Sequence, residues 1–148
     1  MNKQDQERIR AGGVCIKDGK VLLIHRINLG KENDQEYFVI PGGGVEENED
    51  IKEAVIRELG EETGIKVKVN DIVYETESFN SSRNIAQHEY YYLCEYISGE
   101  PALREDSEEA EEMKLGKHFY KPMWVSKEEA EKSIVYPEEV KSIILKMI

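Results

Sequence analysis

The sequence predicts a single α+β domain in which a mixed β-sheet is covered by helices. Several short segments are rich in β-branched and aromatic residues, which is typical of strands. They are 11–16, 21–27, 37–40, 65–79, 88–97 and 119–125. Helical patterns lie between and after these segments, and no internal repeat or long linker divides the 148 residues.

The first half of the chain contains clear turn and helix-end signals. Lys17–Lys20 contains the pair Asp18-Gly19, which predicts a tight hairpin. A polar loop at 28–36 follows, and Pro41 with the three glycines after it should break regular structure. We predict that Asn48 caps the next helix, that Glu49 and Asp50 lie in its first turn, and that Gly64 ends it.

The second half predicts shorter elements around an acidic stretch. Residues 105–112 are expected to form a solvated loop. Ser126 can cap a short helix that ends at Glu131. Pro137 can lie in the first turn of a final amphipathic helix, Glu138–Met147.

The composition of the chain argues against several classes of partner and location. The chain has 31 acidic and 20 basic residues, a formal net charge of −11, which argues against a nucleic-acid polymer or an anionic membrane as partner. No apolar run approaches the roughly 18 residues of a membrane span. The polar start MNKQDQERIR lacks the apolar region of a signal peptide, so we expect a cytoplasmic protein. Cys15 and Cys94 are expected to be buried free thiols.

The helix after Asn48 carries an unusual arrangement of acids. At 100° per residue, Glu61 lies about 60° to one side of Glu58, and Glu62 about 40° to the other. The apolar residues of the helix share this face; they are Ile51, Ala54 and Val55. The opposite side carries Lys52, Ile56, Gly60 and Thr63. The acids therefore point toward the interior, unlike those of a solvated face.

Inward carboxylates repel one another and lose solvation. Glu61 and Glu62 also lie near a helix C-terminus, where the helix dipole disfavours negative charge. A bound cation would offset both costs. Hard oxygen ligands favour Mg²⁺, with Mn²⁺ as a substitute.

The complete pattern resembles the Nudix box of the MutT-like Nudix hydrolases. Its fixed positions, from Gly43 to Ile65, are all present. They are Gly43, Glu49 after five residues, Arg57-Glu58-Leu59 after seven, Glu61-Glu62 after one and Gly64-Ile65 after one. The resemblance implies an α/β/α sandwich and a loop–helix–loop cradle, in which Glu58, Glu61 and Glu62 match the positions that ligate divalent ions.

The resemblance also implies roles for neighbouring residues. Arg57 matches a position that orients catalytic carboxylates, although a surface salt bridge with Glu53 is an equal alternative. Glu49 matches a position that contacts this arginine, and helix-start electrostatics could also explain it. The carbonyl of Gly43 matches one that can ligate metal. Gly42, Gly43 and Gly44 permit close approach to a ligand, but a simple turn would need some of them too.

The general base and the substrate-binding residues stay open. Glu62 is one candidate base, and the acidic stretch offers others, each more simply a solvated charge: Glu105, Glu108, Glu109, Glu111 and Glu112. Aromatic residues could stack a base, or be core: Tyr37, Phe38, Tyr90 and Tyr92. Arg10 and Arg26 could pair with phosphate or lie on the surface. His25 and His88 are interpreted as strand residues.

The resulting functional prediction is a Mg²⁺-dependent hydrolase that cleaves a diphosphate bond in a nucleoside diphosphate linked to another group. Water would attack phosphorus. The alternative is a Nudix-fold module that binds a nucleotide without turnover, although such members often carry eroded boxes. The expected partner is a small nucleotide derivative, and the sequence leaves open whether the protein is a monomer or a homodimer.

Overall fold

The computed structural model describes residues 7–29, 35–116 and 118–148. Residues 30–34 of the predicted loop, and residues 1–6 of the polar N-terminal segment, lie outside this description. The strands are β1 (Glu7–Lys17), β2 (Lys20–Asn28), β3 (Gln35–Val39), β4 (Gly42–Gly44), β5 (Lys66–Asn80), β6 (Ile85–Ser98), β7 (His118–Ser126) and β8 (Val135–Tyr136). The helices are α1 (Ile51–Thr63), α2 (Glu108–Lys114), α3 (Lys127–Lys132) and α4 (Glu138–Met147).

The strands form one mixed sheet, as predicted. Its order is β5-β6-β1-β2-β3-β8, while β4 pairs with β1 and β7 pairs with β2. The pairs β1–β6 and β3–β8 are parallel, and the other pairs are antiparallel. The predicted hairpin joins β1 to β2, with Asp18 and Gly19 at φ 51° and 74°. Positive φ at both central residues is the geometry that a two-residue hairpin turn requires.

Helices cover both faces of the sheet, which confirms the predicted fold class. On one face, Val55 and Leu59 of α1 pack with Cys15, Cys94 and neighbouring strand residues. On the other face, residues of α3 and α4 join a second buried cluster; they are Ala130, Val140 and Ile144. Both cysteines are buried free thiols, and burial raises their pKa to about 11 for Cys15 and about 12 for Cys94. Among the described helices, none has the length and apolarity to cross a membrane.

The start of α1 differs from the prediction. Its N-cap is Asp50, whose side chain accepts a hydrogen bond from the backbone N–H of Lys52, so neither Glu49 nor Asp50 lies in the first turn. Asn48 belongs to the turn that precedes the helix and has φ 64°. This left-handed conformation differs from the extended backbone of a helix N-cap. Gly64 ends the helix at φ 75°, as predicted, and its N–H donates to Gly60.

The glycines after Pro41 form a strand, although we predicted irregular structure. β4 pairs antiparallel with β1, and Gly43 lies opposite Ala11. A Cβ on Gly42 would lie 2.4 Å from the carbonyl oxygen of Ala11. Glycine is required here because two backbones approach more closely than a side chain allows.

The acidic stretch and the final helix also need correction. Residues 108–114 form α2, capped by Ser107, where we expected a loop. The serine accepts a hydrogen bond from the N–H of Ala110, which satisfies a free helix-start donor. Ser126 caps α3 as predicted. Pro137 is the N-cap of α4, one position before its first turn, because its ψ of 146° is extended.

Candidate active site

Helix α1 presents its acids along the face that packs on the sheet, as the helix phase predicts. Ala54 and Val55 are fully buried, and the Glu58 side chain is only 14% exposed. Glu61 is more exposed, at 43%. Thr63 was expected on the outer side but is buried, because its hydroxyl donates to the Leu59 carbonyl and accepts from the N–H of Ile65 at the helix end.

Arg57 is the hub of this acidic group. Its Nε and Nη2 donate to the two carboxylate oxygens of Glu49, at 2.7 and 2.9 Å. Its Nη1 donates to Glu58 at 2.9 Å and to Glu61 at 3.3 Å. Nη2 also donates to the carbonyl oxygen of Gly44 at 3.0 Å. One guanidinium therefore ties the helix acids to the preceding loop and to β4.

These contacts stabilise the charged forms of Glu49 and Arg57. The hydrogen bonds from Arg57, followed by one from the Glu46 backbone N–H, lower the pKa of Glu49 to about 2. Hydrogen bonding to Glu49 raises the pKa of Arg57. Among the described residues, the ion-pair partners of Arg57 are all acids of the box segment, and Glu53 is not one of them. The predicted alternative of a Glu53 salt bridge is therefore wrong.

Glu62 is the acid of the trio that Arg57 does not bind. Its Oε1 accepts a hydrogen bond from the backbone N–H of Gly42 at 3.2 Å. Burial, followed by a hydrogen bond and charge repulsion with Glu58, raises its pKa well above the usual range. A cation placed beside these two carboxylates would offset their mutual repulsion.

The backbone at Gly43 leaves room for the Glu58 carboxyl group. A Cβ on Gly43 would lie 2.5 Å from Glu58 Cδ, so any larger residue would displace the acid. The donors at this end of the cleft are the Glu58, Glu61 and Glu62 carboxylates and the Gly43 carbonyl, all hard oxygens. The residues therefore fit a Mg²⁺ or Mn²⁺ ion. We call this group, Gly43 with Glu58, Glu61 and Glu62, the cradle.

A cleft of about 460 Å³ opens over the cradle and is lined on its other sides by arginines. They are Arg8, Arg10, Arg26 and Arg104. Arg10 reaches the carbonyl oxygen of Gly42 at 3.5 Å. Burial, followed by repulsion from Arg83 and Arg10, lowers the pKa of Arg8. Crowded, partly buried cations beside carboxylates form a site for an anion that also binds metal.

Arg26 is held in a fixed position at the shared wall of this cleft and a second cavity of about 500 Å³. Its guanidinium lies 4.8 Å from the ring centroid of Tyr120 and 5.6 Å from that of Tyr37. Its Nη2 donates to the Tyr120 hydroxyl at 3.2 Å, and this hydroxyl donates to Glu112 at 2.6 Å. Within the described residues its buried Nε has no acceptor.

The candidate bases of the acidic stretch differ in whether they line the cleft. Glu108 and Glu109 line the cleft together with Ser107, and the charge of Glu109 contributes to the raised pKa of Glu62. The other acids of the stretch are not among the residues that line the cleft. Glu112 accepts from Tyr120, and Glu111 pairs with Lys114 at 3.4 Å.

None of the aromatic residues selected from the sequence lines either cavity. Phe38 is in the core at 4% exposure. Tyr37 contacts Tyr136, and its hydroxyl accepts from Asn28. Tyr90 and Tyr92 alternate with Tyr91, so they point to the opposite face of β6, and Tyr91 and Tyr136 line the second cavity instead.

Sequence reasoning also missed Arg8, Arg104 and Glu89. Arg8 could have been found by extending β1 toward the N-terminus, because it lies two residues before Arg10 and thus on the same face. For Tyr91, three successive tyrosines give no phase that distinguishes the two faces.

A family model described as NUDIX domain matches residues 7–143. The chain belongs to the NUDIX family. Among relatives, it is 34% identical over 105 residues to an ADP-ribose pyrophosphatase of Methanocaldococcus jannaschii, over 70% of this chain and 59% of that protein. It is 35% identical over 101 residues to an 8-oxo-dGTP diphosphatase of Haemophilus influenzae, over 68% of this chain and 71% of that protein.

Other relatives match over shorter stretches. An RNA pyrophosphohydrolase of Sphingopyxis alaskensis is 44% identical over 57 residues, covering 38% of this chain and 34% of that protein. These matches span three fifths or less of the length of the Methanocaldococcus and Sphingopyxis proteins.

Solved NUDIX structures share the fold of this chain. A NUDIX hydrolase from Nitrosomonas europaea aligns with a TM-score of 0.69 at 19% identity, over 96% of this chain and 89% of that one. A MutT NUDIX hydrolase from Burkholderia pseudomallei aligns with a TM-score of 0.66 at 22% identity, over 97% and 99%. This likeness concerns the fold alone.

Proposed function

We propose that this NUDIX protein is a Mg²⁺-dependent hydrolase that cleaves the diphosphate bond of a nucleoside diphosphate linked to another group. The observation that carries the proposal is that the cradle and four arginines line the same cleft. A diphosphate is the ligand chemistry that matches both sides, because its oxygens can bind metal and guanidinium at once. The activities for which the relatives are named support cleavage of the same type of bond.

The chain's own residues have distinct parts in this proposal. Glu58, Glu61 and Glu62, with the Gly43 carbonyl, would hold the metal, and Arg57 would fix Glu58 and Glu61 through the bonds described above. When bound, Mg²⁺ would offset charge that develops on the diphosphate oxygens and assist ionisation of the attacking water. Arg10 and Arg26 would bind the phosphate oxygens that face away from the cradle.

Proton removal from water requires a carboxylate at the cleft. Glu62 is one candidate, because it lines the cleft and is the cradle acid that Arg57 does not bind. Glu108 and Glu109 are the others, since both line the cleft. The second cavity, with Tyr91 and Tyr136, has the size for the nucleoside end of the substrate.

The experiment is a Mg²⁺-dependent hydrolysis assay with ADP-ribose, 8-oxo-dGTP and 5′-triphosphorylated RNA, with products separated by chromatography. We expect turnover of a small nucleotide rather than RNA, because the net charge of −11 opposes a polymeric anion. In ¹⁸O-labelled water, label should enter a phosphate-containing product. Label found only on the carbon side of the leaving group would contradict attack on phosphorus.

The same assay distinguishes an enzyme from a module that only binds. A protein that shows Mg²⁺-dependent binding of these nucleotides but no turnover would be a NUDIX-fold binding module. Mg²⁺ should also raise the melting temperature, because a ligand of the folded state stabilises it. Absence of metal binding at millimolar Mg²⁺ would remove the cradle from the proposal.

A further inference from the structure

A second group of potential metal ligands surrounds His88 on β6. His88 Nδ1 lies 3.3 Å from a carboxylate oxygen of Glu7 and 3.3 Å from one of Glu77. The ligand atoms of these three residues all lie within 4.8 Å of one another. On the other side of the ring, Nε2 lies 2.7 Å from a carboxylate oxygen of Glu75, which is hydrogen-bond distance. We call these four residues the His88 cluster.

The His88 cluster is separate from the cradle. Side chains alternate between the two faces of a strand, and Glu89 and Tyr91 of β6 line the second cavity. His88 therefore points to the opposite face, together with Tyr90. The cluster joins three strands, because Glu7 begins β1 and Glu77 lies opposite His88 in the β5–β6 ladder.

The imidazole has too few protons for its neighbours. A neutral ring has one N–H, and the close contact to Glu75 places it on Nε2. Nδ1 then presents a lone pair to two carboxylates, an arrangement that is repulsive unless a cation lies between them. A protonated ring would still offer a single N–H to both Glu7 and Glu77, and one positive charge to three negative ones.

His25 shows what an ordinary strand histidine does in this protein. Its exposure, 18%, matches the 17% of His88. Its Nε2 contacts one carboxylate, that of Glu36, at 2.6 Å, and its ring stacks on Phe38 at 4.8 Å. A single acid matches a single N–H. The His88 cluster differs by adding two acids at the other ring nitrogen.

We propose that Nδ1 of His88 and the carboxylates of Glu7 and Glu77 bind a divalent transition-metal ion of the Zn²⁺ class. One imidazole nitrogen with two carboxylates suits Zn²⁺, whereas Mg²⁺ prefers oxygen ligands alone. Glu75 accepts from the opposite ring nitrogen, the usual arrangement that orients a metal-bound histidine. Tyr90 stacks on the ring at 4.5 Å and 7°, which fixes its plane.

An ion bound at this site would have a structural role. A metal there links the first residue of β1 to β5 and β6. Arg8 and Arg10 follow on the same strand and line the cleft on the other face. The ion would therefore hold in place the strand end that carries these arginines, without contacting substrate. The inference does not depend on the proposed hydrolase activity.

The test is calorimetric titration of the full chain with Zn²⁺ in excess Mg²⁺, which occupies oxygen sites in the cradle. The wild type should bind Zn²⁺, and so should Glu61→Gln, a cradle variant. His88→Gln should lose this site. Glu75→Gln, which keeps the ligands but alters the support of the ring, should bind on the order of 10-fold more weakly. His25→Gln is the matched control and should bind as the wild type does.

Melting temperature gives a second readout. Zn²⁺ should stabilise the wild type and His25→Gln, and leave His88→Gln unchanged. If His88→Gln does not fold, Glu77→Gln takes its place, because this side chain is 78% exposed and its replacement preserves packing. The proposal would be overturned if the wild type did not bind Zn²⁺, or if His88→Gln and Glu77→Gln both bound it as tightly as the wild type.

Discussion

Two groups of acids in this protein each surround one basic side chain, which is Arg57 in the first group and His88 in the second. Arg57 has five N–H groups in a planar fork, and it donates to Glu49, Glu58 and Glu61 as well as to a backbone carbonyl. His88 has at most two N–H groups for three carboxylates. The number of donors at the centre therefore decides how many of the surrounding acids receive a hydrogen bond from it.

Within the cradle the same rule separates Glu62 from its neighbours. Arg57 binds Glu58 and Glu61 but not Glu62, which accepts one hydrogen bond from a backbone N–H and is repelled by the charge of Glu58. Among the described residues, Glu62 is therefore the cradle acid without an ion-pair partner.

The largest expected effect is loss of turnover when the cradle acids lose their charge. Glu58→Gln, Glu61→Gln and Glu62→Gln preserve size and hydrogen bonding but remove metal ligands. We expect each to weaken Mg²⁺ binding and to lower kcat/KM on the order of 100-fold, with the fold retained by circular dichroism.

Glu53→Gln is the matched control for this series. Glu53 is exposed, lies on the same helix and forms no ion pair with Arg57 among the described residues. Its replacement should change kcat/KM by less than about twofold, since exposed substitutions are usually neutral. If the cradle variants keep the wild-type kcat/KM while Glu53→Gln loses it, the assignment of the site is wrong.

A smaller effect is expected when the fork of Arg57 is replaced. Arg57→Lys keeps the positive charge, but an ammonium group cannot bind both oxygens of Glu49 and reach Glu58 and Gly44 together. We expect kcat to fall about 10-fold, because acids that a neighbour no longer orients bind metal less well. Kinetics across Mg²⁺ concentrations measure this. Full activity of Arg57→Lys would mean that charge alone, and not the fork, is needed.

Gly43→Ala tests the space beneath Glu58. Its Cβ would meet the carboxyl group at 2.5 Å, so Glu58 must move. We expect weaker Mg²⁺ binding, several-fold in the calorimetric Kd, in line with loss of ligand placement. Gly44→Ala is the control, because its Cβ would meet only the tip of Arg8 at 3.6 Å. Equal effects of both substitutions would point to strand distortion instead.

The smallest effect is on the pH dependence of stability without metal. The pKa of Glu49 is lowered to about 2, so its contribution is present above the ordinary carboxyl range and is lost as pH falls toward 2. The pKa of Glu62 is raised, so its contribution declines as pH rises above that range. In EDTA, Glu62→Gln should therefore flatten the fall in melting temperature between acidic and neutral pH.

Added Mg²⁺ should reduce this difference between the wild type and Glu62→Gln, because the cation offsets the charge of Glu62. Glu53→Gln should keep the wild-type profile in EDTA. An unchanged slope in Glu62→Gln would show that Glu62 is ionised without cost in the folded protein.

Helix α1 shows how far the sequence alone can lead. The spacing of Ala54 and Val55 sets the phase of the helix, and the phase predicts which acids face inward. Phase does not predict partners: Glu53, one turn before Arg57, was the local candidate, but the loop folds back and brings Glu49 to the guanidinium. A contact made by loop geometry has no periodic signal in the sequence.

Strand β6 marks the limit of pattern reasoning. Tyr90, Tyr91 and Tyr92 are chemically alike, so alternation does not say which of them faces the cleft. Their positions follow from pairing with β1, which sets Tyr91 opposite Gly12, where a Cβ would lie 2.9 Å from the tyrosine ring. The sequence therefore predicts the inward face of α1 but not the second cavity.

The attachment of α2 has a consequence for how this protein can change over time. Although α2 brings Glu108 and Glu109 to the cleft, none of its own residues is buried. The bond between Glu112 and Tyr120 connects it to β7 without drawing on either core. Substitutions in this segment can therefore change the lining of the cleft without disturbing either buried cluster, which makes α2 tolerant of sequence change.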